Sequence, residues 1–321
     1  MVELEEYWSW MIKMDMKFID IEPIVLKNIQ NINKDFKRIF HGRGGLYSGF
    51  EYLCIDSIDK VLFVSLYKAP SLEHKNHLDS FLQTLYNKNI WQCIIVQNRF
   101  EQKAPSKIVY GELPNKCYVY EHDLKYQLNF MQNQNIGFFG DMKNGREYIL
   151  KNAKDKNILN LFSYTCAFSV CAKSAAAKQV VNVDMSKQAL SIGRKNHHLN
   201  DQDTKNIHFL PYNILKSWSK IKKYAPYDLI IIDPPSFQKG SFAATKDYVK
   251  IIKRLGDLAS CDCTVLSALN APELDIEFIK DLFKEHNSNF KFIQQLDNPK
   301  SYENIDKQKA LKNLIFRYNC E

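Results

Sequence analysis

Apolar residues follow two alternating patterns in the second part of the chain. From about residue 145 onward, short apolar runs alternate with longer segments in which apolar residues recur at helical spacing. The first pattern is typical of buried strands and the second of amphipathic helices. The predicted strands cover residues 158–162, 180–184, 208–210, 227–233, 264–269, 290–296 and 314–318. The predicted helices cover residues 168–177, 187–199, 247–259 and 273–285.

This alternation predicts an α/β fold. Strands joined through helices run parallel, because their right-handed crossovers return the chain to the same end of the sheet. Helices then cover both faces of a mainly parallel sheet. Ligands of such sheets lie at the carboxyl ends of the strands. The residues that follow each strand are therefore the candidates for chemistry.

The first part of the chain has a less regular pattern, typical of a small mixed α/β domain. Residues 1–33 are predicted to be helical, and residues 71–86 form a second predicted helix with Ser71 as its N-cap. Residues 56–59 are a predicted turn between two strands. The predicted strands cover residues 50–55, 61–67, 91–97, 108–111 and 117–121.

Length and composition agree with a globular chain of two domains. The chain has 321 residues, of which 45% are hydrophobic and 25% charged, and domains hold roughly 100–200 residues. We expect an N-terminal domain over residues 1–130 and a larger domain over residues 131–321. The net charge of +8 fits an anionic partner such as nucleic acid, without requiring one.

The eight cysteines lack metal-binding spacing. None of them forms a CxxC pair, which argues against a zinc site or a thioredoxin-like motif. Reduced thiols in a cytoplasmic protein are the simplest interpretation. The acidic residues 1–6 do not resemble a secretion signal, and the chain has no apolar run of about 18 residues. We expect no metal and no membrane contact.

Two neighbouring predicted strands end in residues suited to an adenosine-containing cofactor. Residues 161–169 have the sequence LFSYTCAFS, and Asp184 ends the next strand, where an acid can bind ribose hydroxyls. A dinucleotide enzyme needs a glycine-rich turn for its pyrophosphate, and this turn contains no glycine. S-adenosylmethionine has no pyrophosphate, so the turn favours that cofactor. The alternative is that Asp184 only caps the following helix, with Ser186 as a capping partner.

The strand over residues 227–233 ends in a candidate catalytic segment, Asp233-Pro234-Pro235. Both prolines lack an N–H group, which leaves local carbonyls available to a ligand. With Asp233 they can accept hydrogen bonds from a base, and Phe237 can stack on an extruded base. The alternative is an ordinary turn that ends a strand. The following loop, residues 240–246, is either a lid over the substrate or a plain connection.

These segments resemble a known family. Residues 161–169, 183–186 and 233–237 are similar to class I S-adenosylmethionine-dependent methyltransferases. More narrowly, they resemble bacterial large-subunit ribosomal RNA methyltransferases that modify cytosine at carbon 5 or guanine at N7. Residues 135–146 are similar to the family's segment before its cofactor domain, and the basic residues 38–45 resemble it more loosely. The resemblance implies a Rossmann-like, mainly parallel seven-stranded sheet, S-adenosylmethionine as cofactor and ribosomal RNA as substrate.

The resemblance also implies a set of site residues. The expected cofactor-binding residues are Phe139, Asp141, Arg146, Ser163, Tyr164, Thr165, Cys166, Ala167, Phe168, Asp184, Met185, Asn213 and Asp233. The expected catalytic residues are Asp233, Pro234, Pro235, Phe237 and Asn270. Asn213 stands where the family often has an aspartate near adenine. Asp141 and Arg146 are expected to close one side of the cofactor pocket.

One departure from the family bears on the reaction. The carbon-5 enzymes use a cysteine thiolate to attack the ring, and the family carries it after the fifth strand. Here residues 266–272 have the sequence LSALNAP, without cysteine. We expect Cys261 and Cys263 to lie before that strand, in a turn at its far end. The sequence thus favours a nitrogen target such as guanine N7, for which alignment with the methyl donor is the main requirement.

Basic residues cluster around residues 34–43 and 216–223. The expected RNA contacts are Arg38, Arg43, Lys239 and Lys246, and the alternative is a solvated basic surface. Three functions stay open. The chain is an RNA base methyltransferase, a methyltransferase acting on a protein or small molecule, or a non-catalytic relative that binds cofactor or RNA.

Overall fold

The computed structural model describes residues 16–30, 32–238 and 242–320. The chain divides into two compact units. Unit 1 comprises Met1–Gly140 and Pro299–Lys307, and unit 2 comprises Asp141–Asn298 and Gln308–Glu321. No helix in the described ranges is both long and apolar enough to cross a membrane.

Unit 1 is built on a five-stranded sheet. Its strands, in spatial order, are β1 (Lys37–His41), β2 (Leu53–Ile58), β3 (Val61–Leu66), β4 (Cys93–Asn98) and β5 (Ser106–Gly111). Neighbouring strands are antiparallel, except that β3 and β4 are parallel. Two helices, α1 (Phe18–Asn28) and α2 (Leu72–Tyr86), and a hairpin of β6 (Tyr118–Glu121) and β7 (Leu124–Gln127) complete the unit.

The helix α2 forms as predicted. Ser71 is its N-cap, and its hydroxyl accepts a hydrogen bond from the His74 backbone N–H at 3.1 Å. The buried side chains recur at helical spacing and join the apolar core of unit 1. They are Leu78, Phe81, Leu82 and Leu85. Of the helix predicted over residues 1–33, residues 1–15 and 31 lie outside the described ranges. The predicted end is wrong, because α1 ends at Asn28 and the described residues after it are not helical.

The turn expected at residues 56–59 is wrong in its position. Strand β2 continues to Ile58, and the chain reverses at Asp59, which has a φ of +48°. Asp56 and Ser57 are buried and pair with β3. Polar residues suggested a turn, but here they are partnered inside the sheet: Ser57, for example, accepts a hydrogen bond from the Trp91 indole at 2.9 Å.

Unit 2 contains the predicted seven-stranded sheet. Its strands, in chain order, are β8 (Asn157–Leu161), β9 (Gln179–Val183), β10 (Ile207–Leu210), β11 (Tyr227–Ile232), β14 (Ala259–Leu269), β15 (Phe290–Leu296) and β16 (Lys312–Tyr318). The spatial order is β10-β9-β8-β11-β14-β16-β15. The first five are parallel, and β16 is antiparallel to both of its neighbours. The expected Rossmann-like, mainly parallel sheet is confirmed.

Helices surround this sheet. They are α3 (Lys143–Asn152), α4 (Ala167–Ser174), α5 (Lys187–His198), α6 (Trp218–Lys222), α7 (Ala244–Leu255) and α8 (Ile276–His286). The loop expected at residues 240–246 is described only from residue 242 onward, because residues 239–241 lie outside the described ranges, and its described part is a strand and the start of a helix. Two short strands, β12 (Phe237–Gln238) and β13 (Phe242–Ala243), pair with each other, and α7 follows at once. Phe242 is buried in the core, which explains why the chain regains regular structure there.

The expectation for Cys261 and Cys263 is wrong in two respects. Both residues lie inside β14, where Asp262 adopts a φ of +63° and the pairing with β11 is irregular. Cys261 forms a disulfide with Cys320, so the expectation that all thiols are reduced is also wrong. The irregularity turns Cys261 outward within reach of Cys320, a contact that the local sequence pattern does not contain.

Candidate active site

Five parallel strands of unit 2 end at one edge of the sheet, which gathers the candidate residues. The turn of residues 162–166 follows β8, and Asp184 follows β9. Asn213, Asp233 and Asn270 follow β10, β11 and β14. This edge is where ligands bind in open α/β sheets.

The turn after β8 has a strained backbone. Phe162, Tyr164 and Cys166 have φ values of +57°, +45° and +62°, and none of them is glycine. Left-handed conformations cost non-glycine residues about 1–2 kcal/mol each. The surrounding contacts must therefore hold this turn in place, as is common at ligand-binding sites.

Asp184 is one of the groups that hold the turn. One carboxylate oxygen accepts a hydrogen bond from the Tyr164 backbone N–H at 2.8 Å, and the other accepts from the Ser186 N–H at 2.8 Å. Burial raises the pKa of Asp184, and these two hydrogen bonds lower it. Ser186, as predicted, is the N-cap of α5, and its hydroxyl accepts from the Ala189 N–H. Each carboxylate oxygen retains capacity for a further hydrogen bond, such as one from a ribose hydroxyl.

Ser163 adds a second feature that suits a ligand. Its hydroxyl oxygen is buried and forms no hydrogen bond with any described residue. A buried polar atom without a partner is costly unless a ligand or water satisfies it. Together with the remaining acceptor capacity of Asp184, the turn presents donors and acceptors that fit an adenosyl cofactor.

Asp233 is the most perturbed carboxyl group at this edge. Burial and the charge of Asp141 together raise its pKa to about 7, although the charge of Arg146 lowers it. Arg146, on α3, is 1% exposed. The carboxyl group of Asp233 therefore changes its charge near neutral pH, next to the buried Pro234.

The other expected site residues differ in exposure. Thr165, Cys166 and Phe168 are buried, whereas Asn270 and Met185 are exposed. Phe237 is 71% exposed, so its ring is available for stacking. Phe139 belongs to unit 1.

The residues expected to contact RNA differ in their exposure and in their ion pairing. Lys246 is exposed in the first turn of α7, and Lys239 lies outside the described residues. Arg38 is paired with Asp56, with an Nη2–Oδ2 distance of 3.0 Å, and its side chain is 11% exposed. Its charge is already neutralised, so Arg38 is a poor ligand for phosphate. Arg43 is exposed.

Sequence analysis missed a buried polar network behind the cofactor turn. The Asn196 amide donates to the Thr165 carbonyl at 2.9 Å, and Asn182 donates to Ser169 at 2.9 Å. The Ser169 hydroxyl in turn forms a hydrogen bond with His197 Nε2 at 3.0 Å. All these side chains are at most 2% exposed. The available signal was the occurrence of polar residues at positions that strand and helix periodicity assign to the core.

Comparison with known proteins identifies the family. A family model described as S-adenosylmethionine-dependent methyltransferase matches residues 37–317. The chain belongs to this family. S-adenosylmethionine is therefore its cofactor. Within the described residues, no group of three or more His, Cys, Asp or Glu side chains is placed to hold a metal ion.

Two relatives within this family are similar to the chain and share one name. Ribosomal RNA large subunit methyltransferase I from Aeromonas hydrophila is 31% identical over 195 residues, 59% of this chain and 49% of that protein. The protein of the same name from Vibrio vulnificus is 27% identical over 253 residues, 73% of this chain and 63% of that protein. The chain thus spans about half to two thirds of the length of these relatives.

A solved structure supports the fold. A protein from Streptococcus mutans, described as a SAM-dependent methyltransferase, superimposes with a TM-score of 0.81 at 22% identity. The match covers 97% of this chain and 81% of that chain. At this identity the likeness concerns the fold alone, and it includes both units of the chain.

Proposed function

We propose that the protein transfers the methyl group of S-adenosylmethionine to a base of ribosomal RNA, with a ring nitrogen such as guanine N7 as the acceptor. The names of the relatives and the net charge of +8 support an RNA substrate. An RNA substrate of this kind implies a cytoplasmic location.

The observation that carries the choice of a nitrogen is that no cysteine of unit 2 in the described ranges offers a usable thiolate at the carboxyl ends of the strands. Asn270, an exposed amide, follows β14 where a carbon-5 enzyme carries its nucleophile. Cys263 is buried within that strand, and burial raises its pKa to about 12. Cys166 is buried in the cofactor turn, and burial raises its thiol pKa strongly. Cys261 is consumed by its disulfide.

Methylation of guanine N7 needs no covalent help from the protein. The N7 lone pair forms the new N–C bond, the S–C bond breaks, and its electron pair stays on sulfur. N7 carries no proton, so no general base is required. The remaining tasks are alignment and exclusion of water.

Residues after β8, β9 and β11 carry these tasks in the proposal. Asp184 and the turn of residues 162–166 hold the cofactor, which supplies an electrophilic methyl group when bound. Ionised Asp233 offsets the positive charge that N7 methylation places on the base. The carbonyls beside Pro234 and Pro235 accept hydrogen bonds from the amino group of the base, and Phe237 stacks on its ring.

Nucleoside analysis tests the proposal. Ribosomal RNA from a strain that lacks the gene is incubated with the full chain and methyl-labelled S-adenosylmethionine, and then digested and separated into nucleosides. We expect the label in 7-methylguanosine. Label in 5-methylcytidine would refute the nitrogen target, and label in protein would refute an RNA substrate. No transfer, with cofactor binding intact, would identify a non-catalytic relative. A Cys263→Ala variant serves as a control that should retain activity, because Cys263 is buried within β14 and has no role in the proposed site.

A further inference from the structure

Three strands of unit 1 bring two arginines and a tyrosine to one edge of its sheet. Strands β1 and β3 point the same way, because each is antiparallel to β2, and β4 is parallel to β3. Arg43 follows β1, Tyr67 follows β3 and Arg99 follows β4. The guanidinium carbons of Arg43 and Arg99 lie 4.2 Å and 5.2 Å from the centre of the Tyr67 ring. These three residues are named here the Arg–Tyr–Arg cluster.

The backbone of Arg43 is fixed by the glycines on either side of it. A Cβ atom on Gly42 would lie 2.6 Å from the Leu53 carbonyl oxygen, so only glycine permits this packing. A Cβ atom on Gly44 would crowd the backbone of Glu303, and the Gly44 carbonyl accepts a hydrogen bond from Ile305 at 2.9 Å. Arg43 is therefore presented from a rigid turn, with its side chain exposed.

Arg99 is fixed by neutral groups. Its guanidinium donates to the Gln134 carbonyl at 2.8 Å, to Gln97 Oε1 at 3.2 Å and to Asn135 Oδ1 at 3.4 Å. Its Nε atom is buried and lacks a hydrogen bond to any described residue. The nearby Glu101 accepts instead from the Asn98 amide at 2.6 Å.

The cluster carries two positive charges that no carboxylate in the described part of the chain neutralises. Neither arginine forms an ion pair with any residue in the described ranges. Arg38, on the neighbouring β1, shows the opposite arrangement, since Asp56 neutralises it. Two guanidinium groups over one ring repel each other unless an anion binds them. Their rigid donor geometry matches the oxygens of a phosphate.

We propose that the Arg–Tyr–Arg cluster binds the phosphate backbone of a single-stranded segment of the RNA substrate. Arg43 and Arg99 supply the phosphate contacts, and Tyr67 is a positioning residue that holds both guanidinium groups by cation–π contact. This inference rests on the proposed RNA substrate. It concerns RNA affinity, and leaves the chemistry of methyl transfer to unit 2.

Salt-dependent binding tests the proposal. The full chain is titrated into a fluorescein-labelled single-stranded RNA at several NaCl concentrations, and fluorescence anisotropy gives the affinity. We expect Arg43→Gln and Arg99→Gln each to weaken binding, on the order of tenfold, and to reduce the slope of log affinity against log salt by about 0.7 per lost phosphate contact. Lys88→Gln is the matched control. Lys88 is exposed in the turn that leads into the amino end of β4, at the opposite edge of the sheet, and its removal should leave the slope unchanged.

Variants of Tyr67 separate positioning from charge. Tyr67→Phe keeps the ring face and should bind RNA like the wild type, whereas Tyr67→Leu should weaken binding although no charge is lost. Circular dichroism checks that each variant is folded. A folded Arg43→Gln/Arg99→Gln double variant with wild-type affinity and slope would overturn the proposal. So would a double variant that loses binding to a polyglutamate peptide but keeps its RNA affinity, which would indicate an acidic protein partner.

Methylation kinetics keep the two proposals distinguishable. If the wild type methylates ribosomal RNA, the double variant should raise KM for RNA and leave kcat unchanged. If the double variant methylates RNA with an unchanged KM, the proposed role of the cluster is refuted and the proposed function still stands. A wild type that transfers no methyl group to RNA would refute the proposed function, whatever the cluster binds.

Discussion

Gly193 in α5 leaves the space that the side chain of Cys166 occupies. Cys166 precedes α4 in a left-handed conformation, with a φ of +62°, which usually requires glycine. A Cβ atom on residue 193 would lie 2.8 Å from the Cβ atom of Cys166 and 3.3 Å from the backbone of Thr165. The glycine on the facing helix thus accommodates a side chain in the cofactor turn, and the two positions are coupled.

The substitution Gly193→Ala should therefore destabilise the protein. In a free helix interior the same change stabilises by about 1 kcal/mol, because alanine has the higher helix propensity. Here the added methyl group collides with Cys166, and overpacking of this kind costs about 1–3 kcal/mol. Urea unfolding measures the stability, and isothermal titration calorimetry should show weaker binding of S-adenosylmethionine, because the cofactor turn is displaced.

The double variant Cys166→Gly/Gly193→Ala supplies the control. With Cys166→Gly in place, the main obstacle to a methyl group at position 193 is gone and only the Thr165 backbone at 3.3 Å remains, so Gly193→Ala should cost much less or nothing. The double variant should then be more stable than the sum of the two single effects predicts, by about 1 kcal/mol or more. Additive effects of the two substitutions would show that the sites are independent.

Removal of the Asp184 carboxylate should mainly affect cofactor affinity. Asp184→Ala deletes the acceptor of the Tyr164 and Ser186 N–H groups and the proposed ribose contact. We expect the dissociation constant for S-adenosylmethionine to rise at least about tenfold, or about 1.4 kcal/mol. Asp203→Ala is a matched control, because exposed Asp203 also accepts a backbone hydrogen bond, from Lys205. Equal affinities of the two variants would contradict the assignment of Asp184.

The charge of Asp233 should govern the pH dependence of turnover. Its pKa of about 7 means that the carboxylate forms as the pH rises through neutrality. If this carboxylate offsets the charge on the methylated base, kcat rises with pH up to a plateau above about pH 8. Asp233→Asn should lower kcat and abolish that rise. A variant that is less active but keeps the wild-type pH profile would assign the titration to another group.

The raised pKa of Asp233 also makes the free energy of unfolding depend on pH. The folded state binds the Asp233 proton more tightly than the unfolded state does, so this group stabilises the fold below about pH 4, the usual aspartate pKa. That contribution is lost as the pH rises to about 7. Asp233→Asn should therefore unfold at higher urea than the wild type at pH 8, with little difference at pH 4. The reverse order at pH 8 would contradict a raised pKa.

Local pattern predicted the α/β sheet because most strands and helices of unit 2 bury apolar residues at the spacing of their own secondary structure. It missed the helices α3 and α6. The clustering of residues after strand ends followed from topology alone. What escaped prediction depends on distant partners. Arg38 is a predicted RNA contact, and its local sequence gives no sign of its ion pair with Asp56, 18 positions away. Cys261 meets Cys320 through 59 residues of intervening chain. Local sequence carries no signal of such contacts.

The buried network behind the cofactor turn should make stability sensitive to acid through His197. Gln202 Oε1 can only accept, so the His197 ring donates to it at 2.6 Å. In the neutral ring the other nitrogen then accepts from the Ser169 hydroxyl at 3.0 Å. Burial lowers its pKa to about 4, despite the opposing hydrogen bond to Gln202. The unfolded state, with a usual histidine pKa of about 6.5, binds the proton more readily. The contribution of neutral His197 is thus complete above about pH 6.5 and is lost as the pH falls towards 4.

Replacement of His197 by an uncharged side chain tests this linkage. His197→Gln should cost about 1–3 kcal/mol at pH 7.5, because Ser169 and Gln202 lose well-aligned partners. The cost should shrink as the pH falls from about 6.5 to about 4, since the variant has no proton to take up on unfolding. His198→Gln is the control, because His198 is the next residue on α5 and is exposed. Urea unfolding across this pH range measures both variants. If His197→Gln kept the acid sensitivity of the wild type, that sensitivity would come from another titrating group, because the variant lacks the imidazole ring that joins Ser169 on α4 to Gln202 beyond the end of α5.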